Sequence, residues 1–143
     1  MRWLAKAALQ KGMSALPAAE SVNYVFQRHV SRSLPQSEAG FRRKLDRAAG
    51  HLDAYAEHGP PRAVGDAVFY EFGAGWDLTV PLAYWALGVE RQLLVDIHSN
   101  LRFDLVNGTI ARLERSDDER LVRRPGVADV AAAEDLEERF GIS

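Results

Sequence analysis

The chain has 143 residues, a formal net charge of −2 and no cysteine. Its length suits one domain with a buried core, and the lack of cysteine excludes disulfides, thiolate nucleophiles and cysteine-ligated zinc. Residues 1–65 carry ten Lys/Arg against five Asp/Glu, and residues 66–143 carry eight against fifteen, so a mildly basic half precedes an acidic one, short of the basic patch that nucleic-acid binding requires.

From Arg2 to about Ala15, Trp3, Leu4, Ala7, Ala8 and Met13 recur at helical spacing with Arg2, Lys6 and Lys11 between them, which predicts an amphipathic helix ended by Leu16-Pro17. Lys6 interrupts what would otherwise read as a signal-peptide core, and no window approaches the ~20 apolar residues of a membrane span, so no stable membrane insertion and a cytoplasmic location are expected. A second helix is predicted over about Ser21 to Ser33, capped by Ser21 and ended by Leu34-Pro35.

Ser37 to Glu57 is the longest predicted helix, with Phe41, Leu45, Ala48, Leu52 and Tyr55 on one face. The segment His58-Gly59-Pro60-Pro61-Arg62 then breaks the chain, because two consecutive prolines remove donors and fix φ. This divides the expected organisation into a helical N-terminal arm, residues 1–62, and a cofactor-binding region, residues 63–143.

Past the break the period changes. Ala67 to Phe72 is near-continuously apolar, as a parallel strand covered on both faces should be, with Glu71 its one charged member. Asp77 or Thr79 can cap the following helix, Pro81 is tolerated in its first turn, and Gly88 suits its C-terminal end. Gln92 to Asp96 reads as the second strand. Ser99 or Asn100 opens another helix, with Leu101, Leu105, Val106, Ile110 and Leu113 facing the core. Pro125-Gly126 precedes a last, acidic helix from about Val127 to Arg139, and no third strand is read in the final residues.

The chemistry concentrates at Phe69-Tyr70-Glu71-Phe72-Gly73-Ala74-Gly75-Trp76-Asp77-Leu78-Thr79. Two glycines at i, i+2 after a strand let backbone approach a ligand with no Cβ in the way, and the amides opening the next helix suit an anionic or carboxylate-bearing group. Asp96 ends the second apolar run at the distance expected of a ribose-binding carboxylate. A dinucleotide fingerprint places a third glycine where this chain has Leu78, which argues against a pyrophosphate. The four histidines are scattered without metal-ligand spacing, and no serine sits in a nucleophile elbow.

Glu71 to Thr79, followed by Leu94-Val95-Asp96-Ile97, resembles the first and second motifs of class I S-adenosylmethionine-dependent methyltransferases, with Asp77 at the third glycine of the E/D-x-G-x-G-x-G pattern. The arm, including Leu16-Pro17 and Asn23-Tyr24-Val25-Phe26-Gln27-Arg28, is similar to the N-terminal extension of a bacterial subgroup. The resemblance implies an α/β, partial Rossmann-like fold, β-α-β-α behind the arm, with S-adenosyl-L-methionine as cofactor and an unnamed methyl acceptor. It further implies that Gly73, Ala74 and Gly75 pass beneath the methionine and ribose, Glu71 orients the amino group, Asp96 accepts from the ribose hydroxyls and Ile97 packs against adenine, with Asp77 completing the turn. That family has about seven strands, so the chain is expected to be the N-terminal portion of such an enzyme, and no catalytic residue is named. Two other readings compete. One is a non-catalytic module of the same fold that forms a homo-oligomer, or takes up a complementing chain, through its open sheet edge; the other is an NAD-binding oxidoreductase fragment, disfavoured by Leu78.

Overall fold

The computed structural model describes residues 24–30, 34–97, 100–122 and 130–143. The helix expected over 2–15 and both ends of that expected over 21–33 lie outside the described residues; between them, residues 24 and 25 are helical and run into a π-helical turn, Phe26–Val30. Residues from Glu38 onward form one compact unit, Glu38–Ser143. The long helix α1, Glu38–His58, therefore groups with the strands, and the Pro60-Pro61 break is a connection inside this unit.

The unit continues through β1 (Val68–Phe72), α2 (Thr79–Ala86), β2 (Arg91–Val95), α3 (Phe103–Glu114) and α4 (Ala133–Phe140). β1 and β2 pair in parallel with Val68 opposite Arg91, Tyr70 opposite Leu93 and Phe72 opposite Val95. Mixed α/β architecture with a small parallel sheet is thus what the chain forms. After α4 the tail turns at Gly141, in the left-handed region at φ 62°, and runs beside β2. Ile142 bridges Gln92 in parallel, and the Gln92 and Leu94 amides donate to the carbonyls of Gly141 and Ser143, both at 2.8 Å. The final residues form no third strand, as expected, but bridge to the outer edge of β2.

One core joins α1, α2, α3, α4 and the covered face of the sheet. α2 is apolar all round and buried from Pro81 to Ala86, because α1 lies along one side and the sheet and α3 take the others. Phe69 stacks between Tyr55 of α1 and Tyr84 of α2, with ring centroids 5.6 and 5.4 Å away. Trp85 meets Phe140 of α4 edge to face at 4.8 Å. Gln92 is buried in β2 and its Nε2 donates to the Pro81 carbonyl at 2.9 Å, which gives a buried amide a partner on α2.

Among the described residues coverage is one-sided, where a strand buried on both faces was expected. Phe69 and Glu71 point into the helices, whereas Val68, Tyr70 and Phe72 are exposed, as are Leu93 and Val95 beside them. No helix among the described residues is long and apolar enough to cross a membrane.

Candidate functional site

The two parallel strands end on the same side, and the Gly73 amide closes that end by donating to the Val95 carbonyl at 2.9 Å. From there the chain climbs through Gly73 at φ 79° and Gly75 at φ 78° to Leu78 at φ 47°. Glycine adopts positive φ without cost, and a Cβ built on Gly73 or Gly75 meets nothing within 4 Å. The space above the turn is open, so backbone conformation rather than crowding demands the glycines. Leu78 holds the same left-handed region at the place where a dinucleotide loop has its third glycine. Its strain, about 1–3 kcal/mol for such a residue, is offset by burial in the core.

Asp77 is 6% exposed and turned inward. Its Oδ1 accepts from the Thr79 amide at 3.2 Å and lies 3.7 Å from Lys44 Nζ, so it ties the turn to α1. The N-cap position of α2 falls on Leu78, without a side-chain cap, rather than on Asp77 or Thr79 as expected. The Arg102 amide donates to the Trp76 carbonyl at 3.1 Å, and α3 starts at Phe103 rather than from Ser99 or Asn100 as expected. The turn is thereby held from two helices.

Beside it lies a cavity of about 190 Å³, lined by Ala74, Gly75 and Leu78 of the turn, Leu94 and Asp96 of the second strand's end, Asn100 and Leu101, and Ala133, Leu136, Ile142 and Ser143 of the closing segment. Asn100 Oδ1 is buried there with no hydrogen-bond partner. The result is an apolar slot with one acceptor inside and a carboxylate at its mouth. Asp96 Oδ1 accepts from the Ile97 amide at 2.8 Å. Ile97 itself is 91% exposed, and Leu94, Leu101, Leu136 and Ile142 supply the apolar walls expected of it.

Glu71 faces the helices from the last covered position of β1. Its Oε2 is buried without a partner, as is Thr79 Oγ1 at the head of α2. Desolvation pushes the Glu71 carboxyl up to about 7, and the Lys44 charge pulls the other way. Burial, with the Glu71 charge adding to it, also raises the Tyr84 hydroxyl, which shares a 2.6 Å hydrogen bond with His51 Nδ1 of α1.

Of the residues singled out from sequence, Ala74, Gly75 and Asp96 line one cavity, Gly73 forms the turn beside it, Glu71 and Asp77 lie on the helix side of that turn, and Ile97 points away. Lys44, Tyr84, Asn100 and the closing segment were missed. Only the last carried a signal: a glycine after a helix followed by an apolar residue marks a chain turning back onto the core. No protein-family model matches the chain, and no curated protein or solved structure matches it.

Proposed function

We propose that the chain binds S-adenosyl-L-methionine at the carboxyl ends of β1 and β2, as the cofactor-binding part of a Rossmann-like methyltransferase. The observation that carries this reading is that Gly75 and Asp96, 21 positions apart in sequence, line one cavity. The chain's groups fit the cofactor piece by piece. Glu71 Oε2 is a buried acceptor awaiting a donor and suits an ammonium group. The Asp96 carboxylate is acceptor-only and matches a vicinal diol. Leu94, Leu101, Leu136 and Ile142 suit a base face, with the Asn100 acceptor available to an exocyclic amine.

The bound cofactor supplies an electrophilic methyl group on a sulfonium. The chain's own contribution is to position it: the glycine turn sets the depth of approach, Asp77 and Lys44 fix the turn, and the apolar walls exclude water from the base. The cavity is smaller than the ~300 Å³ at which ligand pockets begin, so it takes the nucleoside end while the rest lies across the open turn. Calorimetry with S-adenosylhomocysteine tests the reading. Saturable heat that is lost in Asp96→Ala is expected; a folded sample giving no heat at about millimolar ligand removes cofactor binding.

A further inference from the structure

The uncovered face of the sheet carries Val68, Tyr70 and Phe72 on β1 and Arg91, Leu93 and Val95 on β2, in three register rows. Tyr70 is 64% and Phe72 77% exposed. With the aliphatic neighbours, these side chains present roughly 500–600 Å² of apolar surface, the size of the largest patch on a typical monomer. Parallel strands are ordinarily covered on both faces, and among the described residues nothing covers this one. We propose that a second copy of this chain does, through a two-fold, face-to-face stacking of the two sheets.

Self-complementarity argues for a copy over an unrelated partner. No carboxylate stands in the three rows, and the single charge, Arg91, sits in the end row beside Val68. If the strands of the two copies run antiparallel, the two-fold axis passes through the middle row, so Tyr70 and Leu93 meet their own counterparts. Each Arg91 then lies over the Phe72 and Val95 end of the other copy, where an exposed aromatic ring accepts a guanidinium. The two Arg91 side chains fall at opposite ends of strands ~13 Å long, beyond the ~8–10 Å screening length; a parallel stack would bring them together. One Arg91 donor already goes to the Asp66 carbonyl at 3.1 Å. Two such faces bury on the order of 1,000–1,200 Å² in total, at the lower edge of stable interfaces. That predicts a dimer of micromolar strength, which closes on itself and buries the bare sheet face of both copies. The inference does not depend on what the cavity beside the glycine turn binds, since that cavity lies on the helical side.

Sedimentation velocity of the full chain from about 1 to 100 μM, a range set to a micromolar Kd, should show a monomer of 15.9 kDa passing to twice that mass. Tyr70→Glu and Leu93→Glu, at solvent-facing positions, should stay monomeric with unchanged circular dichroism. Because the chain has no cysteine, Tyr70→Cys gives a single thiol, and a bismaleimide spanning the ~10 Å between stacked sheets should cross-link it to its counterpart. Glu57→Cys, on the helical side, should give no cross-link. A monomer throughout the range, a dimer that survives Tyr70→Glu, or growth beyond the dimer overturns the proposal.

Discussion

Lys44 Nζ of α1 lies 3.7 Å from Asp77 Oδ1 in the glycine turn, so a helix more than thirty residues upstream fixes the loop that shapes the candidate site. The Asp77 side chain is nearly buried and Lys44 about one-third exposed. Removing the cation leaves a desolvated carboxylate with the Thr79 amide as its remaining partner. Lys44→Met is therefore expected to lower stability by about 1–2 kcal/mol, less than for a fully buried pair because water still reaches Lys44. Asp77→Asn should restore part of the loss in the Lys44→Met background. Urea unfolding of the two single variants and the double variant measures the coupling; simple additivity would mean that the pair contributes nothing.

Glu71 makes stability depend on pH in a direction opposite to that of most carboxylates. Its folded-state pKa is raised to about 7 from 4.5 by desolvation, against the lowering charge of Lys44. Between these values the folded state holds a proton that the unfolded chain has released, so stability falls as pH rises from about 4.5 to 7 and is level above. The neighbouring Tyr84 hydroxyl is raised and stays neutral across this window. Glu71→Gln should abolish the slope and stabilise the chain at pH 8 by about 1–2 kcal/mol, a figure reduced for the solvent that reaches this half-exposed group. Thermal melts of both proteins from pH 4.5 to 8 check it, and parallel curves would contradict the assignment.

If the orphaned Glu71 oxygen receives the cofactor's ammonium, binding favours the ionised carboxylate. Affinity for S-adenosylhomocysteine should then fall as pH drops below 7, approaching tenfold per unit at its steepest. In Glu71→Gln the affinity should be weaker at pH 8 and flat over the same range. Calorimetry at pH 6 and pH 8 separates this from a purely structural role, which would shift the melts alone.

How much of this was legible in the sequence depended on what each residue's neighbours were. α1, β1 and β2 follow from a 3.6-residue apolar spacing and from compact apolar runs, and their ends fall within a residue of expectation. The bare face does not follow, because an apolar run has the same composition whether helices cover both of its faces or one. Lys44, in Arg42-Arg43-Lys44, reads as a solvated helix face; only the packing of α1 on α2 aims it at Asp77. The closing residues 141–143 are too short to show a period, yet Ile142 and Ser143 line the cavity and Ile142 bridges to β2.

The glycines separate a conformational requirement from a steric one. A Cβ on Gly141 would overlap the carbonyl oxygen of Glu90, and the residue sits at positive φ, so Gly141→Ala must lift the tail off β2. The hydrogen bonds at Gln92 and Leu94 and one wall of the cavity go with it. A loss of about 3 kcal/mol or more is expected, together with faster hydrogen exchange at the Gln92 and Leu94 amides. Gly75→Ala carries the left-handed penalty of about 1–2 kcal/mol and no clash, since nothing lies within 4 Å of the added atom. Its methyl group projects into the open space above the turn, where the proposed cofactor passes. Gly75→Ala should therefore remain folded while its affinity for S-adenosylhomocysteine falls at least about tenfold, roughly 1.4 kcal/mol. Unfolding and calorimetry on the same samples distinguish the two glycines; equal affinity in Gly75→Ala and the parent chain would place the ligand elsewhere.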